Sequence, residues 1–513
     1  MPTQTDVQKS VQEPFANQKN GIEQPQLPVE SPYEPFNSQI IGANILSLGS
    51  GEIIASVAAF FGTAYAARQL GPESFGIVGF ATALFGYLSL AVTAGFNDIG
   101  SREVARRPRD ASSIAANVIA VRLIMAFGVL IAVAALAYFL NKPPVVKVVL
   151  LLMGLSFFPL ALNVSWVYKG LERNRRVALA LIISQIFYAG IIVLAVKGPG
   201  DVAVVPFAQF LGDILAAMTL VVPLFWLGQI NFDWREGLRL FRSSGFLAIS
   251  RLLRALMYTF DIVLIGFLIG EQAVGLYSAP YRICFLLVAL AVAIHASYLP
   301  SIIRASRESE EDQIGKVAKH CLRLAAAVAA PLVVGGMIIS APLLETIFGS
   351  EYRAGAGAFR FLLLSIGFVF LHGTIHNIFL AVNRLRTEMI IFAVAAAVNV
   401  CLNIVIIRRY GIVGAAFVTA FAEGLTLILG LVIVNRIGVP FGLRPIWRPF
   451  LASAVMGAAL LALGPNHSLG LYLAVGGLTY LVGLVLFRGV PHEAYPLLRW
   501  IGLPGYNSRG NLI

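Results

Sequence analysis

Arg68-Gln-Leu-Gly-Pro-Glu-Ser-Phe-Gly76 and Phe267-Leu-Ile-Gly-Glu-Gln-Ala-Val-Gly275 carry one pattern twice, 199 residues apart. In each, two glycines lie five apart, Gly71/Gly76 and Gly270/Gly275, and an apolar run of more than 20 residues stands on either side. A short turn between antiparallel helices needs a residue that tolerates positive φ, which is why glycine recurs there. Runs of about 20 apolar residues match the thickness of a bilayer core. The motif therefore reads as the hairpin between the first two spans of a repeated membrane unit.

Composition agrees. Of 513 residues, 58% are hydrophobic and 12% charged, and mean hydropathy is +0.82. A water-soluble domain carries about 25% charged residues. Fourteen apolar runs follow one another: 40–66, 76–97, 113–140, 147–168, 178–197, 203–228 and 244–269, then 276–301, 320–346, 357–382, 387–407, 412–435, 447–464 and 468–487. The expected fold is an all-α polytopic membrane protein of about 14 transmembrane helices. Two six-helix lobes are expected as parallel repeats, with two further helices at the C-terminus.

Charge supplies an independent test. Even-numbered loops hold about 21 Lys and Arg, against about 8 in odd-numbered loops, which places both termini in the cytoplasm. The net charge of +12 is thus spread through short loops, and no basic–aromatic stretch resembles a nucleic-acid module. Expected segments are a disordered cytoplasmic tail (1–37), the first lobe (38–230), an amphipathic interfacial connector (231–243), the second lobe (244–437), the terminal pair (438–490) and a cytoplasmic tail (491–513). The first tail lacks the apolar stretch of a cleaved signal peptide. No loop is long enough for a soluble catalytic domain, and no GxxxxGK[ST] phosphate loop occurs. Cys284, Cys321 and Cys401 are too scattered for a disulfide framework or a zinc site.

The same residues carry a family resemblance. Leu70-Gly-Pro-Glu-Ser-Phe-Gly76 and Ser101-Arg-Glu-Val-Ala-Arg106 resemble the first half of bacterial polysaccharide (O-antigen and exopolysaccharide) flippases. Asp261-Ile-Val-Leu-Ile-Gly266 with Val274-Gly-Leu-Tyr-Ser-Ala279 resembles the start of the second half. Asn399-Val-Cys-Leu-Asn403 and Tyr410-Gly-Ile-Val-Gly-Ala-Ala416 resemble the eleventh and twelfth helices. The resemblance covers about residues 40–490 and implies the multidrug/oligosaccharidyl-lipid/polysaccharide (MOP) exporter superfamily, with the two six-helix lobes around a central cavity. It further implies a flippase, not an enzyme, that carries polyprenyl-pyrophosphate-linked oligosaccharide across the bacterial cytoplasmic (inner) membrane. Membrane lipids are the surroundings, a monomer is the expected state, and polysaccharide polymerase and export machinery are the open partners. Alternatives are a peptidoglycan-precursor flippase, a small-molecule exporter of the same superfamily, or a membrane O-antigen polymerase or glycosyltransferase.

Charges inside the bilayer are the candidate site, since each costs about 2.5–3.5 kcal/mol at mid-membrane unless buried or wet. Arg251, Arg254, Tyr258 and Asp261 share one face of the seventh span, and two guanidiniums suit a pyrophosphate. Arg122 and Arg282 are further candidates for phosphate contact. Glu52 is the repeat equivalent of Arg251; it could pair with it across the cavity in one state, or bond within its own lobe. Asp213 and Glu423, at related positions, join Asp261 as candidates for coupling to a proton or sodium gradient; for Asp213 and Glu423 plain interhelical hydrogen bonding is the stronger reading. His372 and His376 lie on one face but lack a third ligand, so no metal is expected, and a proton role is left open. No cofactor is expected.

Overall fold

The computed structural model describes residues 38–93, 95–226, 230–243, 245–307, 311–439, 441–464 and 467–490. The tails expected at 1–37 and 491–513 lie outside the described residues. Contacts divide the chain into Met1–Ala43, of which residues 38–43 are described as helical, and Asn44–Ile513. The described residues are almost wholly helical and contain no strand. In chain order the helices are α1 (Ser38–Thr93), α2 (Phe96–Arg106), α3 (Ala111–Phe139), α4 (Pro144–Leu155), α5 (Phe157–Leu162), α6 (Ser165–Gly170), α7 (Asn174–Ala195) and α8 (Val204–Trp226). Then come α9 (Trp234–Ser243), α10 (Gly245–Leu268), α11 (Glu271–Arg307), α12 (Glu311–Ile338), α13 (Ser340–Phe348), α14 (Ala356–Ala381), α15 (Leu385–Arg436), α16 (Trp447–Leu463) and α17 (Leu469–Leu486).

Among the described residues ten helical stretches are long and apolar enough to cross a membrane, and two shorter apolar helices, Thr259–Leu268 and Trp447–Leu463, accompany them. Two of the long stretches each hold two of the spans read from the sequence. α1 breaks at Gly71 (φ 71, ψ 171), and α15 breaks at Gly411 (φ 60, ψ −145). Pro72 follows the first break, and a proline cannot continue the helix through its own N–H. Large apolar side chains such as Ile131, Leu194 and Leu478 stand exposed on the outer surfaces of their helices, where a bilayer would cover them.

The span expected at 147–168 is not one helix. It is divided into α4, α5 and α6, with non-helical backbone at Asn163 (φ −68, ψ 110). A break inside a membrane frees carbonyls that need other donors. Arg122 Nη1 donates to the Asn163 carbonyl at 3.2 Å, and the Asn163 side chain accepts from Ser165 N at 2.9 Å.

The two copies of the opening motif pack against each other. A Cβ built on Gly76 would overlap the Glu271 carbonyl oxygen, and one on Gly275 would overlap that of Pro72. Pro72 and Glu271 are themselves 199 apart, so the contact is its own repeat mate. One turn further, Gly79 leaves room for Ser278, whose Oγ would lie 2.6 Å from an added Cβ. Glycine here serves close backbone approach between segments, as well as the turn at Gly71.

The connector between the halves, α9, is tied to the first half. Arg107 Nη2 meets Glu236 Oε1 at 2.6 Å and Glu103 Oε1 at 2.5 Å. Asn117 Nδ2 donates to Glu236 Oε2 at 2.9 Å, and Gly237 lies against the Asn117 backbone. The Glu236 carboxylate, then Glu103, holds the Arg107 guanidinium above its usual value. Leu240 is buried in the same contact.

Candidate functional site

α1 and the pair α10–α11 meet along two seams below the glycine crossing. On one, Tyr87 Oη donates to the Ala255 carbonyl at 2.9 Å. The 199-residue offset carries Tyr87 to Leu286 and Ala255 back to Ser56. Those two residues line a cavity of about 170 Å³ with Phe60, Thr63, Arg282 and Phe285. One repeat contact is thus bridged by a hydrogen bond, and its mate lines a cavity.

Arg282 is the cation of this cavity. It is partly buried and forms no ion pair among the described residues. Thr63 Oγ1 and Tyr188 Oη stand 3.5 Å apart, and the Tyr188 hydroxyl lies within electrostatic reach of Arg282. A guanidinium out of bulk water without a carboxylate partner favours an anionic ligand, and its planar fork fits phosphate oxygens.

Asp261 is held by hydroxyl groups. It is 1% exposed and collects hydroxyls from α11 and α15. Tyr277 Oη donates to Oδ2 at 2.5 Å, Thr419 Oγ1 at 3.1 Å and Tyr281 Oη at 3.3 Å, while Ile262 N donates to Oδ1 at 2.8 Å. The side chains of Arg251, Arg254 and Tyr258, all on α10, lie outside the described residues, and so does the Glu52–Arg251 pairing. Glu52 is exposed.

Arg122 is placed away from the cavity. It is 1% exposed, bonded to Asn163 O and, at 2.7 Å, to Asn97 Oδ1. Its guanidinium packs against the rings of Phe96 (5.4 Å) and Trp166 (5.9 Å). The geometry is that of a backbone cap at a broken helix. Asp213 accepts from Gln209 Nε2 at 2.8 Å on its own helix. Glu423 and His372 are buried in the second half. His376 on α14 pairs with Glu388 on α15 at 2.8 Å, and its neighbour Asn377 donates to the His295 carbonyl on α11 at 2.7 Å, so these groups join helices of the second half.

The family model described as "Polysaccharide biosynthesis protein" matches residues 41–306, more than half of the chain. The chain belongs to this polysaccharide biosynthesis family. A second model, described as MatE, matches residues 247–405. A probable low-salt glycan biosynthesis flippase of Haloferax volcanii is 21% identical over 453 residues, covering 85% of this chain and 94% of that protein. A probable flippase of the same organism is 24% identical over 468 residues, covering 87% and 93%. Among solved structures, the lipid II flippase MurJ in an inward closed conformation superposes with a TM-score of 0.72 at 16% identity, covering 86% of this chain and 99% of that one. The resemblance read from the sequence therefore holds, and this family member is a multi-pass membrane transporter of the MOP superfamily rather than an enzyme.

Thr63 and Tyr188 beside Arg282, and Thr419 and Tyr277 at Asp261, carry no signal of these contacts in the sequence. Hydroxyl residues in apolar helices are common, and only folding shows which of them converge. Lys142 and Tyr352, which bond to the Gly266 and Ala67 carbonyls, stand in no motif either. Lys142 carried one signal: it is among the few cations on the arginine-poor side of the chain.

Proposed function

We propose that the chain flips polyprenyl-pyrophosphate-linked oligosaccharide from the cytoplasmic to the outer leaflet of a bacterial inner membrane, by alternating access between two six-helix halves. The observation that carries this reading is Arg282, a cation without a carboxylate partner among the described residues, in a cavity between α1 and α11. The pyrophosphate is the group such a site stabilises, while the prenyl tail stays in lipid. The glycan flippases among its relatives support the sugar-linked cargo. The loop-charge asymmetry supports cytoplasmic termini, so the glycine crossing closes the outer end. Coupling to a sodium or proton gradient is assigned to Asp261, whose carboxylate is surrounded by oxygens of α11 and α15. Polymerase and export machinery are the partners such cargo would meet, and the carrier acts as a monomer.

The test is reconstitution. Vesicles holding the purified chain and a fluorescent polyprenyl-pyrophosphate oligosaccharide are exposed to an impermeant quencher. Protein-dependent loss of the protected fraction is expected. Quenching no faster than in protein-free vesicles, for this lipid and for shorter-glycan versions, would sink the reading.

A further inference from the structure

Ala67 and Gly266 are equivalent positions, 199 residues apart, each four residues before the glycine that ends the first helix of its half. Carbonyls in the last turn of a helix lack an intrahelical donor. Within a membrane they need one from elsewhere. In both halves that donor comes from the other half. Tyr352 Oη, in the turn Ser350–Gly355, donates to the Ala67 carbonyl at 2.9 Å. Lys142 Nζ, in the connection between α3 and α4, donates to the Gly266 carbonyl at 2.7 Å. Lys142 also pairs with Glu271 Oε1 at 2.8 Å, so it straddles the turn at Gly270 (φ +131). Its ammonium lies 5.8 Å from the Phe80 ring centre.

We propose that Lys142 and Tyr352 form a reciprocal clasp that holds this end of the transport path shut, and that every transport cycle must release it. Each donor moves with its own half and each acceptor with the opposite one. Separation of the halves therefore breaks both bonds together and strains neither half. The clasp is strong while the seam is dry, because a bond at low dielectric is stronger and an unmet carbonyl is costly. Once water enters, it satisfies the same carbonyls and screens the Lys142–Glu271 pair. Such a contact favours two distinct states over a continuous range. Its two arms differ in chemistry: one is a half-buried ion pair, the other a neutral hydroxyl on a residue 1% exposed.

The clasp rests on the alternating-access reading but not on the cargo, and labelling separates the two. Ser278 is 4% exposed and lies in the closed seam beside Gly79. Ser278→Cys, in a Cys401→Ser background in lipid nanodiscs, is reacted with an impermeant maleimide. The parent is expected to react slowly. Tyr352→Phe and Lys142→Met should each speed labelling several-fold, and together by more than about tenfold, while Lys142→Arg stays near the parent rate. Parent-like rates in both single variants and the double, in folded monodisperse protein, would overturn the clasp. Should Lys142→Met fail to fold, Tyr352→Phe decides, since it removes one hydroxyl and keeps the ring. Faster labelling in a chain that flips no pyrophosphate-linked glycan would keep the clasp and discard the cargo; unchanged labelling in a chain that flips it would do the reverse.

Discussion

Gly76 and Gly275 each lie against the backbone carbonyl of a residue in the other half, Glu271 and Pro72, and the two contacts exchange under the same 199-residue offset. A methyl group fits at neither position without moving a helix. Gly76→Ala is therefore expected to hold the seam apart and cut flipping by more than about tenfold, since small residues set the distance of closest approach between membrane helices. Gly86→Ala, on the same helix with open space around it, should leave transport near the parent rate. Equal loss in both variants, measured by quencher protection, would mean that helix propensity rather than the seam is responsible.

Arg282 should act on the cargo rather than on the fold. Arg282→Ala removes the cation of the cavity and is expected to lower flipping by at least about tenfold, the usual scale for a charge-assisted contact. Arg282→Lys keeps charge but loses the planar fork, and should fall between the two. Thermal unfolding midpoints of the three proteins in detergent should agree within a few degrees. A large drop in midpoint with parental flipping per folded molecule would place Arg282 among structural residues.

Arg122 should behave the opposite way. Its loss leaves the Asn163 carbonyl and the Asn97 side chain without their donor at a buried site. Arg122→Met is expected to cost about 2–4 kcal/mol of stability, from unmet polar groups. Flipping per folded molecule should change little. Unchanged stability with lost transport would return Arg122 to the ligand-binding set.

Three helix ends close with one geometry. Glu172, Asn383 and Arg488 have φ of 57°, 57° and 52°. In each turn the following N–H bonds back to a helix carbonyl: Arg173 to Tyr168, Arg384 to Phe379 and Gly489 to Leu484, all at 2.8 Å. A side chain at left-handed φ costs about 1–2 kcal/mol. Glu172→Gly is thus expected to gain about 0.5–1 kcal/mol after the entropy of a freer unfolded chain is deducted. Glu172→Val, branched at Cβ, should lose stability. Midpoints of heat unfolding check both.

The hairpin glycines, the apolar runs and Arg282 were legible because each is a local pattern: a spacing, a length, a charge where charge is expensive. Arg122 was equally visible as a charge, but its role was not. The run 147–168 reads as unbroken, so nothing in it announces the free carbonyl at Asn163 that Arg122 serves. Helical spacing puts Asp261 on a face with Arg251 and Arg254, whose side chains lie outside the described residues; its described side-chain partners are Tyr277, Tyr281 and Thr419, the last 158 residues away. Spacing along one helix does not encode which neighbour will cover it. Lys142 lies in a short loop without a motif, and its partner carbonyl at Gly266 has no side chain to betray it.

Asp261 separates coupling from architecture by a single atom. Its carboxylate accepts three side-chain hydroxyls on Oδ2, and an amide whose oxygen takes that place can still accept them, losing only the bond from Ile262 N. Asp261→Asn therefore keeps most of the local bonding and removes the charge. If the carboxylate binds the coupling ion, the variant stays folded, and its flipping no longer responds when a sodium or proton gradient is imposed across the vesicle. The parent should accelerate under one of the two gradients and not the other. If the carboxylate serves only to join α10, α11 and α15, the variant responds to the gradient as the parent does. The gradient dependence, not the basal rate, is the reading that decides, because a small loss of packing lowers the rate in either case.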